Sequence, residues 1–202
     1  MLGFTLSKLN LLILVAAIFS IMAFFLFHLS TVTAGFEAKQ LMEQYSRSAS
    51  IIISSQNSCT SKSYFLQPYL QTAASGKMYY LMKISGTAVT APSGAQQNLL
   101  IFSIRPRKDP DLILAADSFS TNSTIVFCDN VNGTINCAVD PPTGVMLDPQ
   151  KALPINAFYL VKQISSGTSY LYVIPCNLGA CDSVKSQAND AVIASGGTGF
   201  RC

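Results

Sequence analysis

From Leu9 to Leu29 the chain reads LNLLILVAAIFSIMAFFLFHL, and only Asn10, Ser20 and His28 interrupt its apolar character. About twenty helical residues at ~1.5 Å each span the ~30 Å hydrocarbon layer of a bilayer. The segment from about 9 to 29 therefore reads as a transmembrane helix. On its short N-terminal side stand Lys8 and the chain's own amine, which favours an N-terminus in the cytoplasm and the remainder outside the cell. A cleaved secretory signal is the alternative. The run is longer than the usual signal core of about 7–15 residues, yet Thr33-Ala34-Gly35 offers small residues for cleavage. A soluble secreted domain would then follow.

The cysteines point to the same side. All six (Cys59, Cys128, Cys137, Cys176, Cys181 and Cys202) lie beyond the apolar run. An even number confined there fits three disulfides in an oxidising compartment. Buried free thiols are the rival reading, and a zinc site is disfavoured because no Cys-x-x-Cys pair exists and the single histidine, His28, lies in the apolar run. Asn122-Ser-Thr and Asn132-Gly-Thr are acceptor motifs for N-glycosylation. Only 11% of residues are charged, against about 25% in ordinary soluble domains. The net charge is +3, and the densest basic stretch, Arg105, Arg107 and Lys108, is followed at once by Asp109 and Asp111. That pattern reads as a solvated loop around Pro106 and Pro110. A nucleic-acid face would need a larger basic surface, although some surface filaments bind DNA.

The helix is expected to continue past the membrane. In 36–53, FEAKQLMEQYSRSASIII, the apolar residues Phe36, Leu41, Met42, Tyr45, Ala49 and Ile52 recur at three- to four-residue spacing. Glu37, Lys39, Glu43 and Arg47 occupy the other faces, and Glu43 and Arg47 are spaced for a favourable pair. Gly35 is a point where the junction bends or softens. The polar run Ser54-Ser-Gln-Asn-Ser58 ends the helix.

Beyond Cys59 the period falls to two. Residues 64–70, 78–84, 98–105, 112–116, 123–127, 157–164 and 169–174 are strand candidates. Turn signals separate them at Ser75-Gly76, Pro92-Ser-Gly94, Pro106 with Pro110, Pro141-Pro142 and Ser166-Gly167. The last of these joins two strands as a hairpin. The expected class is α+β: a long N-terminal helix over 4–58, then an antiparallel, β-rich, disulfide-bonded head over 59–202 on which the amphipathic half of the helix packs. The strand-patterned tyrosines at 64, 69, 79, 80, 159, 170 and 172 read mostly as packing residues, with an aromatic adhesive face as the other reading. Local geometry orders the disulfides. Cys128 and Cys137 flank a hairpin signal at Asn132-Gly133, Cys176 and Cys181 bracket a four-residue loop, and Cys59 and Cys202 remain to tie the helix exit to the last residue. Fifteen pairings are formally open.

The opening residues carry a resemblance. Gly3-Phe-Thr-Leu6 ahead of a leucine- and isoleucine-rich helix resembles the start of type IV pilins and pseudopilins. The resemblance implies a leader, 1–3, cut after Gly3, and a mature chain beginning at Phe4, usually methylated. It further implies a helix that first anchors the subunit in the membrane and later packs among its copies as the filament core, displaying the head. Small residues at Ala16, Ala17, Ser20 and Ala23 suit such close packing. Two positions depart from the family pattern. Lys8 stands where bacterial pilins usually carry a glutamate that pairs with a neighbour's amine, and Met-Leu-Gly lacks the basic residue typical of the leader. An archaeal or minor subunit fits these departures better. The implied partners are further copies of the chain, the membrane, an assembly machinery, and other cells or surfaces. A monomeric, single-pass anchored surface protein that binds a partner through its head is the rival function.

No enzyme signature is present. There is no Gly-rich phosphate loop, nucleophile elbow or metal-ligand cluster in the sequence. Asp109, Asp111 and Asp117 miss the EF-hand spacing and read as loop acids, Asp140 and Asp148 as turn residues. Neither a cofactor nor a catalytic residue is expected.

Overall fold

The computed structural model describes residues 2–72, 76–90, 96–131, 134–138, 144–151, 156–177, 179–200 and 202, with side chains for all of these except 2–7, 27, 130, 131, 134 and 138. Asn132, Ser75, the Pro92–Gly94 turn and the Pro141-Pro142 turn lie outside the described residues. So do the side chains of Gly3-Phe-Thr-Leu6.

No proline occurs between Leu2 and Ser54, and that whole stretch is one helix, α1 (Leu2–Ser54). Its 53 residues extend about 80 Å at the standard rise. The helix runs unbroken through Gly35 and stops at Ser54, four residues short of the expected boundary at 58. Two surfaces divide its length. From Lys8 to Leu29 every described side chain is exposed. From Ala34 onward one stripe is buried, consisting of Ala34, Ala38, Leu41, Met42, Tyr45, Ser46, Ala49 and Ile52, which is the helical period of an amphipathic face. Phe36 was expected on that stripe and is instead 63% exposed. It lies two residues, about 200° around the axis, from both Ala34 and Ala38, and those two small residues are the ones that approach the head.

The head has two main sheets. The first has the order β1 (Cys59–Phe65), β10 (Ala157–Ser165), β11 (Thr168–Cys176), β7 (Thr124–Val131), β8 (Thr134–Ala138). The second has the order β6 (Ala115–Thr121), β5 (Gln96–Pro106), β4 (Tyr80–Thr90), β9 (Val145–Leu147). A separate hairpin joins β2 (Leu70–Gln71) to β3 (Lys77–Met78). Pairing is antiparallel throughout except between β11 and β7, which run parallel from Tyr170↔Thr124 to Val173↔Phe127. The wholly antiparallel expectation is corrected there. Ser166 and Gly167, both at positive φ, form the two-residue turn of the β10–β11 hairpin.

The strand read at 78–84 extends as β4 to Thr90 and the one read at 123–127 as β7 to Val131, and two others are displaced along the chain. The first strand is Cys59–Phe65 rather than 64–70. It is an edge strand whose polar Thr60, Ser61, Lys62 and Ser63 pair with β10 on one side only, and Pro68 blocks its continuation. The strand expected at 112–116 lies at Ala115–Thr121. Its inward residues alternate through Ala115, Asp117 and Phe119, and the inward Asp117 accepts a 2.5 Å hydrogen bond from the Ser46 hydroxyl of α1. Leu112 and Ile113, which drew the reading toward them, are in an exposed loop.

The inner faces of both sheets and the buried stripe of α1 share one core. It holds Leu41, Met42, Tyr45 and Ile52 of the helix with Tyr64, Phe158, Leu160 and Leu171 of the first sheet and Met82, Ile84, Leu100 and Phe102 of the second. The outer face of the first sheet has its own cover, helix α2 (Cys181–Ala194), whose Cys181, Val184, Ala188 and Val192 close a second cluster over Val161, Tyr172 and Ile174.

Candidate functional site

The functional candidate that the residues define is α1 itself: an apolar half whose described side chains from Lys8 to Leu29 are all exposed, joined without a break to a half held by the head. Two of its hydroxyls bond back to the helix backbone. The Ser20 hydroxyl donates to the Ala16 carbonyl at 2.8 Å and Thr33 to the Leu29 carbonyl at 2.6 Å, which removes the penalty such hydroxyls would pay in hydrocarbon. The His28 ring stacks on Phe24 with centroids 6.2 Å apart. By length and apolarity the helix is able to cross a membrane.

The docked half is fixed along its length by polar contacts as well as by the core. At the near end Glu37 accepts from the Gln71 amide at 3.3 Å. Midway, Tyr45 donates to the Phe65 carbonyl at 2.7 Å, and Lys62 donates to the Ser48 hydroxyl at 3.1 Å. At the far end Lys162, on β10, donates from Nζ to the Ile53 carbonyl at 2.6 Å and the Ser55 carbonyl at 2.7 Å. The last turn of α1 carries no basic residue of its own, so its exposed carbonyls and negative dipole end are met by a lysine 109 residues away. Sequence reasoning missed this role, because nothing in Val161-Lys-Gln163 distinguishes a cap from an ordinary strand lysine.

The three disulfides join Cys59 to Cys202, Cys128 to Cys137 and Cys176 to Cys181, the last two being the pairs read from spacing and the first the pair left over. The first holds the last residue of the chain to the strand that leaves α1. The C-terminal tail is also held by Gln163, whose amide donates to the Gly199 carbonyl at 2.8 Å and the Thr198 carbonyl at 3.0 Å. Lys185 donates to the Cys202 carbonyl oxygen at 2.9 Å and to Ser61 at 3.1 Å. The tail therefore bridges β1, β10 and α2.

Asn122 lies exposed between β6 and β7. It borders a groove of about 650 Å³ lined by Ser50, Ser54, Phe119, Ser120 and Lys162, at the end of the head farthest from the apolar helix. Asp109 and Asp111 are exposed loop acids, whereas Asp117 faces α1. Asp148 is buried and bridged to Arg107 at 3.2 Å. No group of three or more histidine, cysteine or acidic side chains gathers among the described residues. Burial raises the hydroxyls of Tyr64 and Tyr80 well above the ordinary tyrosine range. The hydrogen bond to Asp182, with a lesser contribution from burial, raises Tyr159. These shifts belong to packing and to a surface pair.

Comparison with known protein families, with curated proteins and with solved structures finds no match.

Proposed function

We propose that this chain is a structural subunit of a type IV pilus-like filament. Gly3 would precede the processing cut, Phe4 would begin the mature chain, and the head would stand outside the cell. The observation that carries the reading is the division of α1. Its front half, from Lys8 to Leu29, is exposed and apolar, while its back half is locked into the head. Such a helix must be covered by lipid or by its own copies, and the same surface serves both in turn. Small residues Ala16, Ala17, Ser20 and Ala23 lie on it and permit close helix approach once lipid is left behind. The role is non-enzymatic, with self-association, the membrane and an assembly machinery as partners. Asn122, at the distal end, is the described sequon that a glycosylation enzyme would reach.

A permanently anchored monomeric surface protein is the second reading. Lys8 favours it, because a lysine so near the start of the helix repels a neighbouring subunit's amine where an acid would attract it. Shearing native cells, pelleting the released material and probing it for this chain separates the two. The filament reading expects polymers in the sheared fraction. A chain found only in the membrane fraction, as a monomer, contradicts it.

A further inference from the structure

Among the described residues, the β2–β3 hairpin and the loop 107–114 lie at one end of the head, beside the start of the docked half of α1. Tyr80, at the start of β4, pairs with Pro106, at the end of β5. Immediately beyond that pair, the Arg107 amide donates to the Tyr79 carbonyl at 2.9 Å, so the β2–β3 hairpin region and the loop 107–114 run side by side. Both sit at the level where α1 enters the head. Gln71 meets Glu37, and Leu114 and Ala115 border a pocket with Gly35 and Lys39. From there β6 travels along the helix, reaching Ser46 at Asp117 and Ser50 to Gln56 by Ser118 to Ser123. Leu114 and Ala115 thus mark the end of β6 nearer the apolar helix, and Ile113 and Leu112 immediately precede them in the chain. Ile113 is 50% exposed and Leu112 44%.

The side chains of this rim have the character of an interface between hydrocarbon and water. Leu112 and Ile113 are apolar and open. Tyr79 is exposed, and Tyr69 lies under Lys77, whose ammonium is 4.5 Å from the ring centroid. Tyrosines and lysines at such a level present an apolar body with a polar tip. Charge is nearly balanced: Lys39, Lys77, Arg107 and Lys108 stand against Glu37, Asp109 and Asp111. The rim is thus built for shallow apolar contact with phospholipid in general, with little dependence on anionic headgroups.

We propose that, while α1 spans the bilayer, this rim rests on the membrane surface, with Leu112 and Ile113 entering the headgroup–acyl boundary. The contact would set the angle of the head on its helix and would be surrendered when the subunit leaves the membrane. It rests on the membrane-spanning reading of α1.

The chain has no tryptophan, so single tryptophans report position directly. The full chain is reconstituted into zwitterionic phosphatidylcholine vesicles as Ile113→Trp, as Leu112→Trp, as Ile193→Trp on the far side of the head, and as Phe19→Trp within the apolar run. Emission is read with lipids brominated at shallow or deep acyl positions. The proposal expects blue-shifted emission quenched by shallow bromines for Ile113→Trp and Leu112→Trp, none for Ile193→Trp, and deep quenching for Phe19→Trp. Unquenched loop tryptophans beside a quenched Phe19→Trp overturn the proposal and leave the membrane helix standing. An unquenched Phe19→Trp overturns both. Loop tryptophans that are unquenched in vesicles but shift to the blue in assembled filaments also overturn it, and assign the rim to contact between copies instead.

Discussion

Phe158 stands where α1, β1, β5 and β10 converge, and its removal tests whether the helix and the two sheets form one cooperative unit. The side chain is fully buried. Its ring stacks on Tyr64 at 4.7 Å and lies 6.0 Å from Phe102 and 6.4 Å from Tyr45, so it touches an element on every side of the core. Truncating a buried phenylalanine to alanine costs about 3–5 kcal/mol in transfer and cavity terms, and losing a stacked aromatic partner adds about 0.5–1.5 kcal/mol. Phe158→Ala should therefore destabilise the head by about 4–6 kcal/mol. Phe158→Leu, which keeps most of the volume, should cost far less. The assay is guanidinium unfolding of the full chain in mild detergent, followed by near-ultraviolet circular dichroism, with hydrogen exchange read peptide by peptide. Exchange should accelerate together in 41–52 of α1 and in both sheets. A loss below about 1.5 kcal/mol, the scale of a tolerated core swap, would refute the shared core. So would accelerated exchange confined to the sheets while 41–52 stays protected.

Further outcomes follow from the same contacts. By loop-closure entropy, removing the Cys59–Cys202 bond, with a separation of 143 residues, should cost about 5 kcal/mol, against about 2.6 for Cys128–Cys137 at 9 and about 2 for Cys176–Cys181 at 5; paired serine variants in denaturant titrations give the ranking. Lys162→Met keeps the aliphatic stem and removes two charge-assisted bonds, so the stability loss should be about 1.5–3 kcal/mol, with faster exchange concentrated in the last turn of α1. Tyr64 and Tyr80 hold their protons above the ordinary range in the fold. The stability tied to that burial is fully present below the unfolded value of about 10 and is lost as pH rises beyond it. A pH titration of the unfolding midpoint should thus fall above pH ~10, and Tyr80→Phe should make the fall shallower.

The long helix was legible because its two halves speak in different periods: an apolar run interrupted at only three positions, then Leu41, Met42, Tyr45, Ala49 and Ile52 at helical spacing. The disulfide pairs were legible where spacing constrains them, as in the five-residue separation of Cys176 and Cys181. Other features were hidden by tertiary compensation. β6 is polar, and its inward Asp117 is acceptable only because Ser46 meets it; apolarity pointed to Leu112 and Ile113 instead. Helix α2 was not foreseen: Asp182, Ser183, Ser186 and Asn189 dilute the apolar pattern of Cys181–Ala194. Its signal was the spacing of Cys181, Val184, Ala188 and Val192, at three and then four residues. The parallel register of β11 and β7 joins strands far apart in sequence, and no local pattern encodes it. The cap supplied by Lys162 is of the same kind.

The most direct test of the filament reading is the mass of the N-terminal peptide of the protein isolated from its native cells. The account predicts a chain that starts at Phe4, with a methyl group on its amine. A chain that keeps Met1 would contradict pilin-type processing, and one that starts beyond Gly35 would remove the membrane helix from the mature protein altogether.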